Sequence, residues 1–268
     1  MSLCDSRQQA QRLIQAGEVQ VNHQVVDKPG TAVSTDAEIL LKARSPYVSR
    51  GGEKLIKALQ TFPIQTMGRI CLDGGISTGG FTDCLLQSGA AQVYGVDVGY
   101  GQVAWKLRTD PRVILKERTN LRQLSPGDLY AADATLPDLG VIDVSFISLT
   151  KVLPAFWFLL QPPREAILLV KPQFEVGKAR IGKHGVVRNP KDQAAAIATV
   201  LDTALALGWR YGGVTWSPLV GPAGNIEFLL WLGMDCQSVP PTSIALQTLT
   251  QSAQQHLHAS PDPAEPPP

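Results

Sequence analysis

The chain has 268 residues, of which 44% are hydrophobic and 18% charged, and its formal net charge is +1. This length allows one sizeable α/β domain and a small second module, and the composition is typical of a soluble globular protein. Apolar runs are too short to span a bilayer, no charged-then-apolar leader opens the sequence, and four cysteines are scattered, so we expect a cytoplasmic protein without a disulfide framework or a metal site.

The N-terminal residues predict a small α+β module. Ser6–Ala16 has helical spacing of apolar residues, Glu18–Asn22 and Gln24–Val26 form a hairpin pattern, and Glu38–Lys42 is a further strand. Residues 16–30 resemble the core signature of the RNA-binding domain of ribosomal protein S-four type. The resemblance implies RNA contacts from Arg7, Arg12 and Lys28, although a solvated helix face would also carry such arginines. Such domains usually begin with a further helix, and only residues 1–5 remain for it here, so we expect the module to be short at its N-terminus.

A polar linker containing Pro46 marks the end of this module. We expect the RNA-binding domain over residues 1–45, a linker over 46–52 and the main domain over 53–234. Residues 235–268 are rich in Pro and Gln, carry three acids and no Lys or Arg, and are expected to be disordered.

The stretch Ile70–Thr82 organises the main domain. An apolar strand ending at Asp73 leads into a glycine-rich turn and then into a helix at Phe81–Ser88. Glycines let a backbone approach a ligand closely. A second strand, Gln92–Val96, ends in Asp97, where a doubly wound fold places a carboxylate that binds a ribose diol. The order predicts a cofactor site.

Two classes of cofactor fit such a turn. A dinucleotide needs a bare helix N-terminus for pyrophosphate, whereas this turn opens with Asp73 and supplies Ser77 and Thr78. An acid would repel pyrophosphate but could bind the amino group of S-adenosylmethionine. The turn therefore favours the methyl donor over a dinucleotide, and a glycine-rich loop without any ligand is the third interpretation.

The remaining elements complete an α/β sheet. The predicted helices are Ser49–Thr61, Gly101–Arg108, Thr150–Gln161 and Pro190–Leu207, and the predicted strands are Val113–Lys116, Leu139–Val144, Ala166–Val170, Tyr211–Trp216 and Ile226–Leu232. Asn120 follows the third strand, where it could contact an adenine edge or cap a loop. Residues 164–191 carry seven Lys or Arg against two acids, which fits either a solvated loop or a polyanion-binding rim.

Four ionisable residues stand near the ends of predicted elements: Lys54, Asp143, Lys171 and Glu227. Each alone would usually be a surface charge. Because the carboxyl ends of parallel strands share one edge, we expect Asp143 and Lys171 to face the crevice above the glycine turn.

Six segments in order resemble the signatures of the TlyA (haemolysin A) family, and the resemblance covers roughly residues 5–234. These segments are residues 48–55, 72–83, 96–102, 142–148, 170–175 and 224–228. The departures are Gly74 and Ile76, where an apolar and a small residue are expected. The resemblance implies a Rossmann-like, FtsJ-type methyltransferase that uses S-adenosylmethionine to methylate ribose 2′-hydroxyls of ribosomal RNA, with ribosomal subunits as partner and without membrane or metal.

The resemblance also implies which residues act. Lys54, Asp143, Lys171 and Glu227 would form the catalytic tetrad, with Lys171 against the hydroxyl between Asp143 and Glu227, and Lys54 orienting the ribose. The cofactor would be bound by Asp73, Gly75, Ser77, Thr78, Gly79, Gly80, Phe81, Asp97, Val98, Asn120 and Asp143. RNA would be bound by Arg7, Arg12, Lys28, Arg50, Lys178, Arg180, Lys183 and Arg188.

Two alternative functions stay open at this point. The haemolysin name raises a membrane-lytic protein, but the sequence has no spanning segment and no long cationic amphipathic helix to support it. The other alternative is an RNA-binding protein whose transferase fold no longer reacts or methylates a small molecule. The four tetrad residues argue against lost activity, and the N-terminal module argues for RNA.

Overall fold

The computed structural model of the chain describes residues 3, 4, 6–15, 17–41 and 45–259. Two compact units divide it, residues 1–46 and residues 47–268. The N-terminal unit contains helix α1 (Arg7–Gln15) and a sheet of strands β1 (Val19–Val21), β2 (Gln24–Val25) and β3 (Ile39–Leu41).

This small sheet has the order β2-β1-β3 with antiparallel pairs. The hairpin turns through Asn22 and His23, whose positive φ angles of 50° and 66° match the twist of two-residue hairpins. Leu13 of α1 and Val19 of β1 are buried. The predicted helix, hairpin and third strand are therefore present, while the predicted end positions Ala16 and Lys42 lie outside the described residues.

The second unit is built on a seven-stranded sheet of order β6-β5-β4-β7-β8-β10-β9. Its strands are β4 (Ile70–Gly74), β5 (Gln92–Val96), β6 (Val113–Lys116), β7 (Leu139–Ile142), β8 (Glu165–Val170), β9 (Arg210–Trp216) and β10 (Phe228–Gly233). All pairs from β6 to β8 are parallel, whereas β10 is antiparallel to both of its neighbours. The predicted α/β fold class is confirmed.

The helices cover both faces of this sheet. They are α2 (Gly51–Thr61), α3 (Gly80–Gln87), α4 (Trp105–Arg108), α5 (Pro126–Leu129), α6 (Leu153–Leu159), α7 (Pro172–Glu175), α8 (Pro190–Leu207) and α9 (Ser243–Ala259). On one face α6 and α8 pack over Leu72 and Ile142, and on the other α2 and α3 pack over Cys71 and Val141. Successive strand residues alternate between the two cores because side chains of a strand point alternately to opposite faces.

Two predicted elements are shorter in the structure. The helix predicted over Gly101–Arg108 begins only at Trp105. The helix predicted over Thr150–Gln161 is a 3₁₀ turn at Leu149–Lys151 followed by α6. Proline fits the first turn of a helix, where its missing N–H costs nothing, so Pro154 favours a start beside it.

The prediction of disorder from residue 235 is wrong for Ser243–Ala259, which forms α9. Leu246, Thr250 and Ala253 are buried, and the Thr250 hydroxyl donates to the carbonyl of Pro190. These residues recur at helical spacing and form a narrow buried face of the helix. The abundance of Pro and Gln in this region makes that pattern hard to recognise in the sequence. The rest of the predicted tail beyond residue 259 lies outside the described residues.

Candidate functional site

The sheet reverses its strand order between β4 and β7, and a cavity opens outside the carboxyl ends of these strands, which is where open α/β sheets bind ligands. The cavity joins the predicted cofactor turn to predicted catalytic residues. Its lining consists of Ser49, Arg50, Gly51, Lys54, Gly75, Ile76, Ser77, Thr78, Gly80, Phe81, Asp143, Val220 and Pro222.

Two positions of the glycine turn require a residue without a side chain. Gly75 has φ +89°, and a Cβ there would lie 2.4 Å from the carbonyl oxygen of Asp143. Gly79 has φ +98°, and a Cβ there would collide with Leu107. Gly79 is itself buried and shapes the start of α3 rather than the wall of the cavity. The turn thus brings its backbone close to β7.

Asp97 fastens the turn to the end of β5. Its Oδ2 accepts a hydrogen bond from the backbone N–H of Ser77 at 2.8 Å, and its Oδ1 accepts one from Gly99 at 2.7 Å. An ionised carboxylate has about four acceptor positions, so Asp97 retains capacity for the hydroxyls of a ribose. Its predicted place beside the turn is observed, and the ribose contact stays a prediction.

Asp73 has a different environment from the one predicted. It has no solvent-exposed surface, its Oδ2 accepts from the Thr82 hydroxyl at 2.7 Å, and its Oδ1 is buried without a partner among the described residues. Burial raises the pKa of Asp73 to about 7, while the bond from Thr82 opposes this rise. Asp73 is not part of the cavity lining, and its contact with the amino group of the cofactor stays a prediction.

Lys171 lies at the end of β8 and faces Asp143 at the end of β7. Its Nζ is 2.6 Å from Asp143 Oδ1 and donates a hydrogen bond to Ser145 Oγ at 2.9 Å. An ammonium has three N–H donors, so one is left over from these two contacts. The ammonium is thus held by groups at the end of β7 and in the loop that follows it, and Lys171 is 8% exposed.

Lys54 and Glu227 form the second pair of the predicted tetrad. The Nζ of Lys54, on α2, is 2.5 Å from Oε2 of Glu227, which directly precedes β10, and both residues are buried. The expected place of Asp143 beside Lys171 is observed, whereas Glu227 forms its ion pair with Lys54, so a role for Glu227 beside Lys171 stays a prediction. Antiparallel β10 lies next to β8, which places Glu227 at the same edge as Lys171.

The segment that begins the second unit also contributes to the cavity. The Val48 N–H donates to Asp83 Oδ2 at 2.8 Å, and this bond ties the segment to α3. Beyond it, Arg50 Nη2 donates to the carbonyl of Val220 at 3.0 Å, and Ser49 lines the wall. Arg50 thus connects two walls of the cavity.

Two further residues predicted to bind the cofactor lie outside the cavity lining. Val98 follows Asp97 and is 71% exposed. Asn120 caps the 3₁₀ turn at Leu121–Gln123, since its Oδ1 accepts from the Arg122 N–H. Capping was one of the two interpretations of Asn120, and its contact with an adenine stays a prediction.

All eight residues predicted to bind RNA are exposed. In the second unit, Lys178, Arg180 and Lys183 lie on 3₁₀ turns after α7, and Arg188 follows them. Arg180 is 3.6 Å from Asp192, a pair whose arginine remains half exposed. These cations are available to phosphates, while RNA binding itself stays a prediction.

Sequence reasoning missed Ser49, Ser145, Val220 and Pro222. Ser145 had a usable signal, because it follows a strand-end acid by two residues in a parallel sheet. The irregular loop that carries Val220 and Pro222 has no period that could assign it to the cavity. Within the described ranges, no group of His, Cys, Asp or Glu could hold a metal ion, and no helix is long and apolar enough to cross a membrane.

Comparisons with known proteins show which families the chain resembles. Residues 47–234 match the family described as FtsJ-like methyltransferase, and residues 1–39 match the S4 domain. The 16S/23S rRNA (cytidine-2′-O)-methyltransferase TlyA of Mycobacterium tuberculosis is 50% identical over 86% of this chain and 85% of that protein. Hemolysin A of Brachyspira hyodysenteriae is 38% identical over 84% of this chain and 92% of that protein.

A solved structure gives the same relationship in three dimensions. A protein from Streptococcus thermophilus that carries a hemolysin name superposes with a TM-score of 0.77 at 41% identity, covering 96% of this chain and 94% of that one. The similarity extends over both units of the chain.

Proposed function

The chain belongs to the FtsJ-like methyltransferases and, within them, to the TlyA proteins, and from this we propose that it transfers a methyl group from S-adenosylmethionine to a cytidine 2′-hydroxyl in ribosomal RNA. The observation that carries the proposal is the meeting of two lysine–carboxylate pairs at one strand edge, beside a glycine turn shaped for close approach of a ligand.

The residues of the cavity fit a sulfonium cofactor. Gly75 and Gly80 leave space that a side chain would fill, Ser77 and Thr78 offer exposed polar groups, and Asp97 stands behind them to accept from a ribose. When bound, S-adenosylmethionine supplies an activated methyl group, so neither a metal nor a covalent intermediate of the protein is needed. The turn residues and Asp97 would hold it with the methyl group toward the lysines.

Lys171 has the chemistry to hold the acceptor. A ribose hydroxyl is a weak nucleophile at neutral pH, so catalysis depends on alignment of the oxygen with the methyl group and on removal of one proton. The N–H of Lys171 that remains beyond its contacts with Asp143 and Ser145 can donate to the 2′-oxygen and hold it in line, while the hydroxyl proton would pass to the carboxylate of Asp143, which lines the cavity. Asp143 and Ser145 prevent the ammonium from turning away.

Lys54 and Glu227 would orient the ribose from the other wall. Their pairing in a buried position keeps both charges compensated and both side chains fixed. The cavity is lined by Lys54 and Asp143 together, so an acceptor ribose between them would meet one member of each pair. The basic segment that contains Lys178, Arg180, Lys183 and Arg188 would hold the phosphates of the folded RNA.

The proposal is tested by incubating the protein and labelled S-adenosylmethionine with separated ribosomal subunits and with naked ribosomal RNA, followed by mapping of 2′-O-methyl positions. Transfer of label to a cytidine ribose supports the function, and the substrate arms identify which RNA and which assembly state it needs. Label on a base, or on no RNA in any arm, overturns the proposal. Release of dye from lipid vesicles by the pure protein would instead favour a lytic activity.

A further inference from the structure

Glu175, four residues after Lys171, has a half-buried carboxylate that the reaction outlined above does not use. Its Oε2 accepts from the Ser148 hydroxyl at 2.6 Å, and its Oε1 accepts from the Leu149 N–H at 2.8 Å. Burial raises the pKa of Glu175, while these two hydrogen bonds oppose the rise. Both carboxylate oxygens thus accept hydrogen bonds from the loop that follows β7.

The two loops that carry Asp143 and Lys171 are joined at both ends. At the near end, Lys171 contacts Asp143 and Ser145. At the far end, Glu175 binds Ser148 and Leu149. Contacts at both ends therefore hold residues 143–149 against residues 171–175, and we call this pair of contacts the clamp. Between its two ends, the ring centroids of Phe146 and Phe174 lie 5.4 Å apart.

The loop of residues 143–149 has a strained backbone. Phe146 has φ +65°, a left-handed conformation that costs a bulky residue free energy of about 1–3 kcal/mol. Its side chain is 92% exposed, so burial of the ring does not compensate this cost. A strained, exposed loop keeps its conformation only when surrounding contacts fix it. At the end of the loop away from Lys171, the hydrogen bonds to Glu175 provide this fixation.

On the basis of the proposed methyl transfer, we propose that Glu175 is a positioning residue, whose carboxylate holds the loop of Asp143 and Ser145 in the conformation that orients the Lys171 ammonium. Loss of the clamp would let the loop relax and would misplace two contacts of Lys171. The backbone of Asp143 is fixed separately, because its N–H donates to the carbonyl of Gly74 at 3.0 Å, and the cofactor turn is fastened by Asp97, so cofactor affinity would change little.

The test compares E175A and E175Q with wild type in single-turnover methylation of the RNA that the labelling experiment identifies as substrate. E175A should lower the rate constant about 100-fold, the usual cost of misplacing reacting groups by about 1 Å, with an unchanged Kd for S-adenosylmethionine. E175Q should stay within about tenfold of wild type, because its amide can accept from Leu149 and donate to Ser148. If E175Q were as inactive as E175A, the carboxylate charge would matter and the positioning role would be overturned.

A matched control separates position from stability. Glu165 lies at the opposite end of β8, where its carboxylate binds Arg69 and Trp231, so E165Q should lower the thermal midpoint without lowering the rate constant. A thermal midpoint that falls equally in E175A and E165Q, with equal losses of rate, would reduce Glu175 to a structural residue and overturn the inference.

Hydrogen exchange tests the clamp independently of activity. In E175A the Leu149 N–H loses its acceptor, so exchange across residues 143–149 should accelerate while exchange across β7 stays slow. Unchanged exchange in this loop would overturn the inference even if the enzyme methylates RNA. Inactive wild-type protein with accelerated exchange in E175A would instead refute the proposed function and leave the clamp intact.

Discussion

The ammonium of Lys54 and the carboxylate of Glu227 lie 2.5 Å apart although 173 positions separate them in the sequence. Both side chains are almost fully buried, so water cannot solvate the remaining charge if one partner is removed. Lys54 lines the cavity, so this ion pair links the stability of the fold to the proposed chemistry of the site.

We predict that Glu227→Ala lowers the free energy of unfolding by about 3–5 kcal/mol, because it leaves the buried Lys54 charge uncompensated. Urea denaturation followed by circular dichroism measures the loss. The double variant K54M/E227L should recover most of this stability while remaining inactive in methyl transfer, since both polar groups are gone. A double variant as unstable as Glu227→Ala would show that lost packing, and not the uncompensated charge, causes the loss of unfolding free energy.

Lys171→Ala should abolish methyl transfer and leave binding of S-adenosylmethionine within about threefold of wild type, because Lys171 is separate from the glycine turn and, as we propose, acts on the acceptor. Isothermal titration with the cofactor and transfer of labelled methyl groups measure the two effects. Lys116→Ala, an exposed lysine at the end of β6, is the control and should retain full activity. Full activity in Lys171→Ala would refute the assignment.

Much of this arrangement could be predicted because it depends on local patterns. The strands Gln92–Val96 and Val113–Lys116 are apolar or alternating runs bounded by polar residues, and both occur as predicted. Parallel order then follows from the intervening helices, and parallel order places Asp143 and Lys171 at one edge. The ion pair between them was therefore accessible to sequence reasoning.

The pairing of Glu227 was not accessible in the same way. It depends on the insertion of β10 between β8 and β9 in antiparallel direction, a long-range choice that no local period reveals. The cavity wall from Val220 belongs to an irregular loop, and the burial of Asp73 depends on α3 covering it. These features arise from tertiary packing, which competes with local signals and here decides the site.

Asp73 makes the stability of the protein depend on pH. Its pKa in the folded protein is about 7 against an ordinary value of 3.8, so the folded state binds the proton more tightly than the unfolded state. Stability should therefore fall as pH rises between these two values, by up to about 1.4 kcal/mol per pH unit from this group.

Asp73→Asn should remove that part of the dependence, since the amide has no proton to lose. The measurement is urea unfolding of both proteins between pH 5 and about 7, with Asp202→Asn at an exposed position of α8 as the control that should parallel wild type. If the stabilities of wild type and Asp73→Asn keep a constant difference across this range, Asp73 does not titrate there.

Gly75→Ala should abolish cofactor binding. An added Cβ would lie 2.4 Å from the Asp143 carbonyl oxygen, and φ +89° is a conformation that alanine rarely adopts. The turn must therefore move away from β7, which opens the wall of the cavity. Gly127→Ala is the matched control, because a Cβ at Gly127 meets no atom within 4 Å, and it should bind S-adenosylmethionine as wild type does. Unchanged cofactor affinity in Gly75→Ala would place the cofactor elsewhere.

The basic segment after α7 should give RNA binding a steep salt dependence. Each phosphate contact releases a counterion, so the logarithm of affinity falls with the logarithm of salt concentration by roughly 0.7–0.9 for each contact. The double variant K183A/R188A should lower the slope by about 1–2 and weaken binding at low salt, as measured by fluorescence anisotropy with the RNA substrate. Arg210→Ala removes an exposed cation at the start of β9, at the opposite edge of the sheet from the cavity, and should leave the slope unchanged. Equal slopes for wild type and K183A/R188A would mean that RNA phosphates lie on another surface of the protein.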